Sequence, residues 1–186
     1  MEEFTDEQLV RAYIKGDNQA IEVLLGRYAG PMLFFVVQSI NNQAEAEDLA
    51  QEILYKSWRK IKTYHPEQPF KPWLYRLARN TVIDYWRKRK LPLAFADADD
   101  TFAGEIDVVD ESPLALTEIM KREEQEDIAA LISTLAPDER MLLNLYYYQG
   151  LNLREIAELS QSSVDTIKSR HRRVLQKLRK LIDKIE

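Results

Sequence analysis

The chain has 186 residues, 45% of them hydrophobic and 31% charged, with a net charge of −5, a profile that suits a soluble folded protein of one medium domain or two small ones. It has no Cys, which excludes disulfides, thiolate zinc sites and thiol redox sensing, while five Gly and strong helix formers throughout favour an all-α fold. The longest apolar run, Pro31 to Val37, is far short of the roughly 20 residues that span a bilayer, and the opening MEEFTDEQ lacks the layout of a signal peptide, so the expected location is the cytoplasm.

Charge divides the chain into three. Met1 to Lys90 carries 14 Lys/Arg against 12 Asp/Glu, Leu91 to Asp127 carries 2 against 12, and Ile128 to Glu186 carries 10 against 7. The acidity therefore belongs to the middle alone. In the first part, AEAEDLAQEILYKSWRKI (Ala44 to Ile61) has the period of an amphipathic helix. Leu49, Ile53, Trp58 and Ile61 make its apolar stripe, with Ala50, Leu54 and Ser57 beside it. Asp48, Gln51, Glu52, Tyr55 and Arg59 stand opposite, a face of acids, an amide and an aromatic. FKPWLYRLARNTVIDYWRKRK (Phe70 to Lys90) predicts a second helix, with Pro72 in its first turn. Trp73, Leu74, Leu77, Ala78, Thr81 and Tyr85 run down one side. Arg76, Asn80 and Arg87 share another, flanked by Arg79 and Lys90, and the loop before it offers Tyr64 and Phe70. Cations for phosphates, an amide for a base edge and aromatics for unstacked bases suit single-stranded DNA. Asp84 is expected to pair locally with Arg87 or Lys88. For each polar face the plain alternative is a solvated helix surface.

LPLAFADADDTFAGEIDVVDESP then reads as a solvated acidic linker. Beyond it, Pro137, Asp138 and Glu139 suit a helix first turn, and Gly150 suits a left-handed end. Asn152 with Glu155 makes a capping box with Asn in place of Ser or Thr, opening a short helix from Leu153 to Leu159. Ser160 to Ser162 make a turn, and Ser163 caps a long last helix. A short helix, a tight turn and a longer helix in about 20 residues is the helix-turn-helix layout. On the last helix Val164, Ile167, His171, Val174, Leu175, Leu178, Leu181 and Ile182 face the core. Asp165, Lys168, Ser169, Arg172, Arg173 and Gln176 face away, where Lys and Arg can neutralise phosphates and Arg can also read guanine. His171, on the apolar face with only His65 elsewhere in the chain, is expected to be a core imidazole rather than a metal ligand. Tyr146, Tyr147 and Tyr148 are expected to pack the bundle.

AEDLAQE (Ala46 to Glu52), the Phe70–Lys90 stretch, LAPDER (Leu135 to Arg140) and LREIAELSQSSVDTIKSRHRR (Leu153 to Arg173) resemble, in order and spacing, the extracytoplasmic-function (ECF) family of RNA polymerase sigma factors. The resemblance covers nearly the whole chain outside the acidic stretch. It implies two small helical domains, a sigma region 2-like bundle at 1–90 and a region 4-like helix-turn-helix at 123–186, joined by a flexible linker at 91–122. It implies that Glu47, Asp48, Gln51, Glu52 and Tyr55 bind the clamp helices of the bacterial core polymerase largest subunit. Tyr64, Phe70, Arg76, Arg79, Asn80 and Arg87 would hold the opened −10 element. Ser163, Thr166, Lys168, Ser169, Arg170, Arg172 and Arg173 would read or clamp the −35 duplex. The other implied partner is an anti-sigma factor; no cofactor, metal, membrane insertion or enzymatic step is implied. The chain departs from the family at Ser160, Gln161 and Ser162, where Leu-Gly-Ile is usual, at Asp165 for a frequent Gly, and at His171 for a usual Leu or Ile.

A stand-alone helix-turn-helix regulator would account for the C-terminal text, but it leaves the acidic helix face and the Trp73–Asn80 stretch without a role. A protein-only adaptor would predict no salt-sensitive nucleic-acid binding. Weak half-sites on a tether become strong only when something fixes their separation, which a polymerase would do.

Overall fold

Thr5 opens the first helix with a reciprocal cap: its hydroxyl accepts from the Gln8 N–H (3.3 Å), and the Gln8 amide oxygen accepts from the Thr5 N–H (2.8 Å). This helix, α1 (Asp6–Ile14), is followed by α2 (Asn18–Ile40), α3 (Gln43–Lys60), a 3-10 turn (Ile61–Thr63) and α4 (Phe70–Lys88). After them come α5 (Pro137–Leu143), a π turn (Asn144–Tyr148), α6 (Leu153–Ser160) and α7 (Val164–Ile182). The computed structural model describes residues 4–40, 42–90 and 131–183, and among them every regular element is helical. The expected acidic linker, 91–122, lies outside the described residues, as does the start of the expected second domain.

α4 has Pro69 as its N-cap and no cap from its own side chains. A carboxylate from α1 substitutes: Glu7 Oε1 accepts from the Phe70 N–H at 3.0 Å, placing negative charge at a helix N-terminus. Burial pushes the Glu7 carboxyl up, but hydrogen bonds from Phe70, its own backbone and Thr5, together with the Arg11 charge, outweigh it and hold the group below its usual range. The unfolded chain then takes up that proton first, so the stabilisation is present at neutral pH and is lost as pH falls through the folded-state value. Glu7→Gln is expected to lower neutral-pH stability and to flatten the acid side of the stability profile between about pH 5 and 3, as read by thermal melts across pH.

α2 is the central helix. Leu24, Met32, Phe35 and Val36 on it are fully buried, against α1, α3, α4 and α5. Its 23 residues are long and apolar enough to cross a membrane, which the uninterrupted-run criterion missed because Gly, Arg27, Tyr28 and Gln38 break the run. Here it is packed inside a bundle and carries Glu22 and Arg27.

The caps of the second half lie where the sequence places them. The Asn152 side chain accepts from the N–H groups of Arg154 and Glu155 (both 3.0 Å), and Glu155 returns a bond to the Asn152 N–H (2.8 Å). Ser163 accepts from the Thr166 N–H at 3.0 Å, and Gly150 is left-handed with φ 64°. Between α6 and α7, Gln161 is left-handed too, with φ 54°, where the family usually has Gly. An L-residue in that region is strained by about 1–2 kcal/mol. Gln161 is exposed, so Gln161→Gly loses little else and is expected to stabilise the second lobe by about 0.5–1 kcal/mol, measured by denaturant unfolding.

Two features go beyond the sequence reading. The helix after Pro137 widens into a π turn, with the Gln149 N–H bonding back to the Asn144 carbonyl at 3.0 Å. The wider turn places residues five apart on one side, so Gln149 Nε2 reaches Asn144 Oδ1 at 3.0 Å. The two expected lobes are present, and they pack against one another. Met141, Leu142, Leu145, Leu151 and Ile156 join the same buried cluster as Phe35, Leu74 and Tyr75. Among the described residues, Leu135, Leu143, Val174 and Leu178 form a smaller core of their own. α5 packs on α2, and α6 packs on α4. α4 is therefore buried beyond its predicted stripe, at Tyr75, Val82 and Trp86.

Candidate nucleic-acid interface

Three polar faces stand on three helices. On α3, Leu49, Ala50, Ile53 and Ser57 turn inward, and Glu47, Asp48, Gln51, Glu52 and Tyr55 are all exposed. Glu52 pairs with Lys56 at 2.6 Å, leaving Glu47 and Asp48 as the outlying charges. Trp58, expected in the apolar stripe, is instead 41% exposed. It lies beside the buried seam, which runs on through Ser57 to Ile61, and its indole N–H finds the Tyr13 hydroxyl at 3.0 Å. Its ring stands 5.7 Å from Tyr55, and the Arg59 guanidinium lies 5.9 Å from the Tyr55 ring centre. The acidic face thus ends in an aromatic shelf of Tyr55 and Trp58, of which periodicity had assigned Trp58 to the core.

On α4, Arg76, Asn80 and Arg87 are exposed along one side. Arg87 is held 3.7 Å from Asp84, the expected local pair, and Arg79 Nη1 donates to Asn80 Oδ1 at 3.4 Å. Tyr64 and Phe70 are not at the surface: Tyr64 is 3% exposed and Phe70 fully buried. With Trp73 they make a triangle of rings 5.3–5.4 Å apart, because the loop before α4 folds its rings under the helix start. The Tyr64 hydroxyl donates to the Gln68 carbonyl. Burial, then the charges of Glu7 and Asp6, push its pKa up to about 12.

On α7, Ile167, His171, Val174 and Leu178 are buried. Ser163 and Arg173 are exposed, and Thr166, Lys168, Ser169, Arg170 and Arg172 are half-buried. The Ser163 and Thr166 hydroxyls lie 2.8 Å apart at the helix start. His171 is 7% exposed, its ring 4.8 Å from Tyr146 and stacked 5.7 Å from Tyr147. Lys177 reaches the nearly buried Glu139 at 2.7 Å, which pins α7 to α5. Tyr148 departs from the expected packing. It is 44% exposed and meets Phe34 of α2 at 5.1 Å.

Arg79 of α4 and Arg170 of α7 lie within electrostatic range of one another. Burial lowers the pKa of the Arg79 guanidinium, the nearby Arg170 and Arg87 charges lower it further, and Asp138 opposes them. Among the described residues no three His, Cys, Asp or Glu side chains converge as a metal site would require.

The chain matches the family models for Sigma-70 region 2 over residues 24–91 and Sigma-70, region 4 over residues 131–180. The RNA polymerase sigma-H factor of Pseudomonas aeruginosa is 33% identical over 185 residues, 96% of this chain and 92% of that one. The ECF RNA polymerase sigma-E factor of Escherichia coli K12 is 30% identical over 176 residues, 91% of this chain and 90% of that one. The fold is shared with CnrH, solved in complex with the cytosolic domain of CnrY, at a TM-score of 0.67 and 21% identity over 97% of this chain and 99% of the other. It is also shared with the sigma factor RpoE from Bartonella quintana, solved with the anti-sigma factor NepR, at a TM-score of 0.63 and 23% identity over 87% and 96% of the two chains. The chain belongs to the ECF family of RNA polymerase sigma factors, which bind core polymerase and direct initiation at promoters through their −10 and −35 elements.

Proposed function

We propose that the three faces divide the work of promoter recognition. The α3 face, Glu47, Asp48, Gln51, Glu52 and Tyr55 with Trp58 at its end, docks on the clamp helices of the polymerase largest subunit. The α4 face holds the opened −10 strand, with Arg76, Arg79 and Arg87 on phosphates and Asn80 on a base edge, while Tyr64 and Phe70 act from beneath by fixing the start of the helix. The α7 face, Ser163, Thr166, Lys168, Ser169, Arg170, Arg172 and Arg173, enters the −35 major groove. The observation that carries this reading is that all three helices bury the opposite side, so each face has a fixed orientation. The chain acts in the cytoplasm with the polymerase. The complexes of CnrH with CnrY and of RpoE with NepR support a sequestering anti-sigma partner for this chain as well.

The test is to combine the protein with sigma-free bacterial core polymerase and genomic fragments from its source, then map transcript 5′ ends. A small set of discrete starts sharing two upstream elements supports the reading, and core binding with no discrete start counts against it. On a promoter so identified, Arg173→Ala is expected to weaken −35 binding about 5–100-fold and relax one base position. Lys168→Ala is expected to weaken all sequences alike and to reduce the salt slope by about one.

A further inference from the structure

We infer that Asp165 of α7 is a specificity-determining residue, one that obliges this chain's −35 element to carry a cytosine at one position. The inference deepens the promoter-recognition reading above and rests on it.

Ile167, His171, Val174 and Leu178 are the buried side of α7. At about 3.6 residues per turn, the row facing directly away from them is Asp165, Ser169, Arg172 and Gln176. Lys168 borders that row on one edge and Arg173 on the other. Cations at both edges suit the phosphates that line a groove, and the row between them suits base edges. Asp165 comes first in the row and is exposed. It stands in the N-terminal part of the helix, where a recognition helix contacts bases.

The hydroxyls beside it are committed to the cap. Ser163 Oγ accepts from the Thr166 N–H at 3.0 Å and lies 2.8 Å from the Thr166 hydroxyl. The Asp165 carboxylate has no such tie: among the described residues no Lys or Arg stands within ion-pair distance of it. A bare negative charge on a face that meets a polyanion opposes binding, since affinity grows with the phosphates neutralised. Only a donor on a base edge offsets that cost. In the major groove guanine presents two acceptors, thymine an acceptor and a methyl group, and adenine an acceptor beside its amino group. Cytosine alone presents a donor, its N4 amino group, with no acceptor next to it. One letter therefore rewards the carboxylate and three penalise it. An acid in a first turn also complements the helix dipole, but that role acts on the helix and is blind to DNA sequence.

The difference is measurable with holoenzyme assembled from the protein and sigma-free core polymerase. The template is a promoter mapped from the genomic starts, rebuilt as a barcoded pool with a randomised −35 element, and the transcripts are counted by barcode. Wild-type protein is expected to prefer cytosine at one −35 position by about tenfold. Asp165→Ala is expected to abolish that preference and leave the other positions unchanged, with helical circular dichroism intact. Asp165→Asn is expected to move the preference to adenine, whose N6 and N7 an amide matches. Loss confined to one position in the Ala variant sustains the inference by itself. A cytosine preference that survives in both variants overturns it, as does a decline spread evenly over all positions or a wild-type pool with no cytosine preference. A wild-type holoenzyme with no discrete genomic start overturns the promoter reading, and the inference falls with it.

Discussion

Phe35→Ala is expected to lower the unfolding free energy by about 3–5 kcal/mol and the melting temperature by about 10 °C. The ring is fully buried and meets Tyr75 edge to face at 5.3 Å, so truncation removes apolar contact and leaves a void beside the residue that joins the lobes. The surroundings have little freedom to collapse, because α2 is held on several sides by α1, α3, α4 and α5. One core serves both halves, so the damage is expected in both. All three Trp, at 58, 73 and 86, lie in the first lobe, and their fluorescence reports it; amide exchange along α7 reports the second. The two probes are expected to shift together, and separate transitions would contradict a shared core.

Reversing charge at Asp48 and Glu52 together, Asp48→Lys/Glu52→Lys, is expected to reduce affinity for core polymerase by at least about 100-fold, or about 2.7 kcal/mol. Both side chains are exposed on a helix whose other side is buried, so the fold is left intact. An acidic face of this kind calls for a basic partner, and placing like charges across an interface costs several kcal/mol. The adjacent Tyr55–Trp58 shelf supplies the aromatic anchor that such interfaces commonly centre on. Titration of labelled protein into core at two salt concentrations measures the effect. A loss below threefold would place the docking face elsewhere.

The helix-turn-helix was legible because its instructions are local. Asn152 with Glu155, Gly150 and Ser163 act within four residues of where they stand, and each appears in its expected role. The polar faces of α3 and α7 were legible for a related reason, since a helical period sorts its own residues. What escaped depends on partners distant in sequence. Trp58 leaves the core because Tyr13, 45 residues away, can satisfy its N–H at the surface. Tyr64 and Phe70 sink beneath α4 because Trp73 completes a ring cluster there. Tyr148 stays at the rim because Phe34 of another lobe meets it, and Tyr75 and Gln149 are 74 positions apart. The π turn breaks the very period used to find helices, so no window of regular spacing shows it.

The family match to region 2 begins at residue 24, downstream of all of α1, yet α1 supports the residues that follow. Asp6 holds Tyr28 at 2.5 Å and Arg27 at 2.9 Å. Glu7 caps α4, and Arg11 reaches the Pro66 carbonyl at 3.2 Å in the loop beneath it. A transplant of region 2 between relatives, cut at the start of that match, would carry α4 without the carboxylate that seats its first turn. A graft intended to exchange −10 specificity therefore needs to begin at Thr5 and include the donor's own equivalent of Glu7.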